Sequence, residues 1–215
     1  MTEALLAQPS VSAPVQAGID PRVLRTQRAL RDALIGLMEE RGLASISIND
    51  ICSRAGVTRG TFYNHFRTKE EMVSRYESEI LLSIMGFQDR MAHLSLRELA
   101  KAKRKRRPLP LVVDLFDYLR TEGDFLHAIV GPGGDPGFAP TIRDRVLSGM
   151  VTNVLHEQYR TSEDPFIAYY VAYFTAAVFG VIVRWIETGM QETSEEMAVI
   201  VMRLFTLKPG DSIKT

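Results

Sequence analysis

Apolar positions recur three and four residues apart along most of the chain, and nowhere does apolar-polar alternation run long enough to predict a strand. The expected fold is therefore all-α. Leu30, Ala33, Leu34, Leu37 and Met38 share one face of a first helix, which Gly42 stops after Arg41. Between Ser47 and Glu71 the chain then compresses three helix starts and a tight turn. Ser47, Thr58 and Thr68 stand three residues before Asp50, Thr61 and Glu71, the spacing at which a hydroxyl caps a helix and its partner can reach back. Gly56 supplies the left-handed residue that ends the second helix. The third helix starts at Thr58 and is short, with Phe62 and Phe66 inward, four apart, and Arg59, Gly60, Thr61, Tyr63, Asn64 and His65 left over. Beyond it the periodicity predicts helices over about 69–92, 109–121, 123–130 and 194–206, and an uncharged run from Phe166 to Val183.

Helices punctuated in this way make a helix-turn-helix, and the outward residues of the third suit a DNA major groove. Arg pairs with guanine O6 and N7, Thr offers a hydroxyl and a methyl, and Tyr, His and Lys hold phosphates. Gly60 has no side chain and lets the backbone approach closely. Ordinary surface polarity on a small helical unit is the plainer reading, but it does not explain why several cap and turn signals agree. Arg22, Arg25, Arg28 and Arg31 crowd the start of the first helix. Arg22 and Arg25 are the two placed to reach flanking phosphates or the minor groove; the other two read as a solvated face.

Residues 22–71 resemble the DNA-binding domain of the tetracycline-repressor (TetR) family of bacterial transcription regulators. Ile48-Asn49-Asp50-Ile51-Cys52-Ser53-Arg54-Ala55-Gly56-Val57 matches that family's second helix and turn. Thr58-Arg59-Gly60-Thr61-Phe62-Tyr63-Asn64-His65-Phe66 matches its recognition helix, and Lys69-Glu70 the start of its fourth. By position, the resemblance implies phosphate contacts from Ser47, Tyr63, His65 and Lys69, and base or groove contacts from Thr58, Arg59, Gly60, Thr61 and Asn64. It further implies a homodimer built on two C-terminal helices, an inverted-repeat operator in double-stranded DNA and a small-molecule effector. The segment from Trp185-Ile186 to Gly189-Met190 resembles one recurrent class of the family's C-terminal domains.

Charge and composition refine this picture. Formal net charge is zero, yet residues 20–76 hold ten Lys/Arg against seven Asp/Glu, so the positive excess sits on the expected reader. The single cysteine, Cys52, excludes an internal disulfide, faces inward on the second helix, and fits a reducing cytoplasm. Residues 1–19 contain no Lys or Arg and no long apolar run; they read as a disordered arm rather than a targeting signal. The domains expected are this arm, a DNA-binding unit over 20–68, and an all-α regulatory and dimerisation unit over 69–215.

Several suggestive patterns fail. The basic run Lys101 to Arg107 reads as a solvated helix end or loop, since a helix over 69–92 carries it on the order of 30 Å from the reader. Gly131-Pro132-Gly133-Gly134-Asp135-Pro136-Gly137 lacks the strand and the Lys-Ser/Thr ending of a phosphate loop and reads as a flexible connection. His156-Glu157 has Arg160 where a zinc-protease helix needs its second histidine. No metal site, cofactor or catalytic set can be nominated, and an enzyme is not expected.

The run from Phe166 to Val183 has the length of a membrane span, which keeps a membrane-associated protein in view. Three tyrosines within it, and Arg184 and Glu187 just after it, favour burial in a core or an interface. Tyr170, Phe174, Ala177, Val181 and Trp185, with Val201 and Leu204 of the last helix, are the expected dimer residues. Tyr118, Phe125, His127, Met150 and Phe174 are the candidate effector-pocket residues. The reading is a cytoplasmic homodimeric regulator, a repressor released by a small molecule, with an activator or co-regulator of the same fold as the alternative.

Overall fold

The computed structural model describes residues 20–94, 107–149 and 163–206. The arm over 1–19, the basic residues 101–106, Met150 and the His156-Glu157 pair lie outside them. All regular structure among the described residues is helical: α1 (Pro21–Arg41), a 3-10 turn (Leu43–Ser45), α2 (Ile48–Ala55), α3 (Arg59–Tyr63), α4 (Lys69–Ala92), α5 (Pro110–Thr121), α6 (Gly123–Val130), α7 (Phe138–Gly149), α8 (Pro165–Glu187) and α9 (Ser194–Thr206).

The N-terminal helices begin where their caps stand. Asp20 accepts from the backbone of Arg22 ahead of α1, with Pro21 in the first position, where its missing N–H is no loss. Ser47 and Asp50 form a reciprocal capping box, Thr58 accepts from Thr61, and Thr68 accepts from Glu71. The Glu71 carboxylate reaches back one residue further than the spacing suggests, accepting from the N–H of Arg67. Gly56 closes α2 at φ +66°, a conformation that disfavours any side chain. Leu30, Leu34, Met38, Ile51, Phe62, Phe66 and Met72 fill the centre of this unit.

In the body, α5 packs against α9, while α4 and α8 both pack against α7. The core is continuous with that of the reader: the rings of Tyr76 on α4 and Phe125 on α6 meet at 5.8 Å. Helix α7 has no counterpart in the periodicity reading, because its apolar face is short and it follows a Pro/Gly-rich loop. That loop is not a loose connection. Its Gly133 carbonyl accepts from the N–H of Leu43, and a Cβ on Gly133 would stand 3.0 Å from Gly42 Cα. Two backbones meet there with no room for a side chain.

The helix that carries the uncharged run is not buried within the protomer, which leaves an interface as the cover expected for it. Helix α8 is long and apolar enough to cross a membrane by length and composition, and only a small part of it is covered within the protomer. Phe166, Tyr169 and Tyr173 are 64%, 77% and 74% exposed. Its covered face carries Val171, Thr175, Trp185 and Ile186.

Candidate nucleic-acid interface

Helix α3 is a short platform on a buried aromatic base. Phe62 is fully buried, its ring meeting those of Tyr63 and Phe66 at 5.7 Å each. With that base fixed, Thr58, Arg59, Gly60, Tyr63 and Asn64 are left exposed on the platform and Thr61 and His65 half-buried. Thr58 caps the helix and shares a 2.9 Å hydrogen bond between its hydroxyl and that of Thr61. A Cβ on Gly60 would meet nothing nearer than the Thr58 hydroxyl at 3.7 Å, so the backbone face is open.

Arg59 is the extended cation of this surface. Its guanidinium donates to the Tyr63 hydroxyl at 3.1 Å and lies over the Tyr63 ring, and that bond raises its already high pKa. One turn of helix thus holds a permanent cation in a chosen direction, which lowers the entropy lost when it meets a base or phosphate. Cys52, buried beneath the turn, points its thiol at the Thr58 carbonyl 3.9 Å away, and burial pushes the thiol pKa up. It packs rather than reacts.

At the edge of the surface, Ser47 is exposed and its hydroxyl bonds Asp50 at 2.6 Å. The Asp50 carboxyl is held down at about 2, first by that hydroxyl and then by Arg41, 2.8 Å away. Lys69 is placed differently. Its ammonium turns inward and donates to the carbonyls of Leu43 and Ile46 at 2.8 and 2.9 Å, tying the start of α4 to the 3-10 turn.

Arg31, read from the sequence as solvated, forms an ion pair with Glu122 and lies over the rings of Tyr76 and Phe125. His127 is exposed and bonds Glu39 of α1 at 2.7 Å. Both residues join reader to body, a role no local pattern announces, because their partners lie about ninety positions away in sequence. Of the other nominated pocket residues, Tyr118 packs on Phe87, Phe125 is core, and Phe174 stacks on Tyr170. Among the described residues, none of these four lines the hollows between α5 and α9. Among the nominated dimer residues, Tyr170, Ala177 and Leu204 are exposed and Val181 half-buried, while Trp185 and Val201 are inside the protomer.

The comparisons with known proteins agree with this geometry. A family model described as bacterial regulatory proteins of the tetR family matches residues 30–76. A second, described as a transcriptional regulator C-terminal region and belonging to the same family, matches 107–207. The chain belongs to the TetR family. That is a family of DNA-binding transcriptional regulators rather than of enzymes. This TetR-family chain is 25% identical over 197 residues to the uncharacterised HTH-type transcriptional regulator YxbF of Bacillus subtilis, covering 88% of this chain and 47% of that protein. It is 34% identical over 100 residues to the regulator EthR of Mycobacterium tuberculosis, covering 43% of this chain and 42% of that one. The chain thus spans about half or less of the length of these curated relatives. Two solved structures share its fold. One is a TetR-family regulator from Syntrophomonas wolfei, at TM-score 0.59 and 18% identity, covering 89% of this chain and 99% of that one. The other is SmeT, the repressor of the Stenotrophomonas maltophilia efflux pump SmeDEF, at 0.58 and 17%, covering 87% and 96%.

Proposed function

We propose that the chain is a homodimeric cytoplasmic repressor that reads an inverted-repeat operator with α3 and is released by a small molecule. The observation that carries this reading is the α3 surface, where Thr58, Arg59, Gly60, Tyr63 and Asn64 stand exposed on the buried Phe62-Phe66 base. In this reading residues 20–68 are the DNA-binding unit and residues 69–215 the regulatory and dimerisation unit. Thr58, Arg59, Gly60, Thr61 and Asn64 face the groove, and Ser47, Tyr63 and His65 hold phosphates. Lys69 supports them through the 3-10 turn. The uncovered face of α8, carrying Tyr170 and Ala177, meets its copy in a second protomer, with Leu204 of α9 beside it. A membrane is not needed to cover it. An effector acts only through unequal affinity for the DNA-bound and free states; the Arg31-Glu122 and Glu39-His127 links and the Gly42-Gly133 contact are the joints such a change must cross.

Selection of random duplex DNA by the purified chain, with sequencing of what is retained, tests the reading. Enrichment of an inverted repeat is expected, and Arg59→Ala relaxes preference at one position of each half-site. Retention without any shared sequence rules out the sequence-reading role.

A further inference from the structure

Residues 41–79 carry six arginines and lysines, and five of them are engaged within the protomer. Arg41 pairs with Asp50 at 2.8 Å and Arg54 with Glu40 at 2.5 Å. Arg59 donates to Tyr63, and Lys69 to the carbonyls of Leu43 and Ile46. Arg75 has Glu79 at 3.7 Å and lies over the Phe66 ring. Arg67 differs from all of these. It is exposed, and among the described residues its guanidinium has no hydrogen bond, no ion pair and no ring beneath it.

The root of this side chain is fixed although its tip is free. Phe66 before it is buried, Thr68 after it caps α4, and its own N–H donates to the Glu71 carboxylate at 2.9 Å. The two carboxylates that follow it are turned to other groups, Glu71 to that N–H and Glu70 to Lys69 at 3.9 Å. Four residues separate Arg67 from Tyr63, at most about 14 Å of chain, so it stands at the edge of the α3 platform where the chain turns into α4. A guanidinium on a fixed backbone meets an anion with part of the ordering entropy already lost.

The DNA reading has no permanent cation assigned to a phosphate at this edge. Ser47 and Tyr63 offer neutral hydroxyls and His65 an imidazole, Arg59 is directed at the bases, and the ammonium of Lys69 is turned inward. Neutral donors position a backbone phosphate, but only a cation neutralises it and releases the counterions around it. We propose that Arg67 holds a DNA phosphate at the junction of α3 and α4, while Lys69 braces the turn. The fork of a guanidinium matches two phosphate oxygens. This inference rests on the reading of α3 as the DNA-binding helix and adds to it the residue that anchors its C-terminal end.

The full chain is titrated with its selected operator, and with random duplex of the same length, over a series of salt concentrations. Arg67→Gln is expected to lower the slope of log affinity against log salt by about one and to weaken binding about fivefold to tenfold near 0.1 M salt, equally on both duplexes. Arg67→Lys is expected to keep the slope, and both variants the melting temperature of the parent, because the side chain touches nothing that the fold needs. Arg75→Gln, which removes the same charge one to two turns into α4, serves as the control. An unchanged slope for Arg67→Gln overturns the proposal, and so does an equal drop for Arg75→Gln, which would assign the effect to the charge of the whole unit. If the parent enriches no operator, the slopes on random duplex decide the role of Arg67 separately from that of sequence reading. A parent without affinity for any duplex overturns both.

Discussion

Residues 20–76 enclose Leu30, Leu34, Ile51, Phe62 and Phe66 within helices whose starts are capped by neighbours two or three positions away. Residues 165–187 instead leave Phe166, Tyr169 and Tyr173 in water, on a helix with little charge to keep it there. The first region is covered by its own helices and by the body it adjoins, and the second leaves an apolar face uncovered in one protomer. On the proposed dimer, the stability of the body therefore depends on protomer concentration more than that of the reader does.

The largest effect that tests this contrast is expected from Phe62→Ala. Phe62 is fully buried and props α3 from below, so its loss is expected to destabilise the reader by about 3–5 kcal/mol. Urea denaturation followed by circular dichroism measures it, and DNA binding should disappear with it. A loss below about 1 kcal/mol would mean that α3 is not held by this base.

Next comes Ala177→Arg, on the exposed face of α8. It touches no core of its own protomer, yet it puts a long charged side chain where a second helix is expected to approach closely. Self-association is expected to weaken by about a hundredfold, or about 2.7 kcal/mol, with the reader intact. Sedimentation velocity over a concentration series decides; an unchanged dimer would place the interface elsewhere.

How legible each region was in the sequence follows the same divide. Caps and turns act over three or four residues, so Ser47, Gly56, Thr58 and Thr68 mark the reader's helix boundaries directly, and α4, α5, α6 and α9 also begin and end within a residue of the periodicity reading. Long-range pairings leave no such mark. Arg31 reads as a solvated side chain and His127 as a pocket candidate until Glu122 and Glu39 are brought to them. The Gly131–Gly137 loop carries the composition of a flexible connection and is instead a seat for the reader, because small residues serve both close packing and free turning. Burial of α8 was read from hydropathy, which records how apolar a helix is and not which molecule covers it.

Between the two regions lies Glu77, on α4 and half-buried, with one carboxyl oxygen buried and unpartnered. Burial, then the neighbouring Asp135 carboxylate, pushes its pKa from 4.5 up to about 7. The folded chain therefore holds this proton more tightly than the unfolded one. Its contribution to stability is fully present below about pH 4.5 and is lost as pH rises through about 7. After discounting for the part of the group that water reaches, the swing is about 1–2 kcal/mol. Glu77→Gln should flatten the change in Tm between pH 5 and 8 relative to the parent chain. Parallel curves for the two would leave Glu77 without a role in the joint.

Lys69 separates two ways in which a cation can serve DNA binding. If its ammonium only ties α4 to the 3-10 turn, Lys69→Met leaves the carbonyls of Leu43 and Ile46 short of a donor and should destabilise the reader by about 1 kcal/mol. Operator affinity then falls by a similar factor at every salt concentration, because no phosphate contact has been lost. If the ammonium leaves those carbonyls for a phosphate on binding, the slope of log affinity against log salt drops by about one as well. The inward geometry, with the side chain 15% exposed and both bonds under 3 Å, favours an unchanged slope. Measuring the slope for Lys69→Met beside Tyr63→Phe, whose hydroxyl is exposed and already aligned with Arg59, makes the distinction within one helix-turn-helix. A reduced slope for Lys69→Met would show that this part of the reader rearranges when it meets DNA.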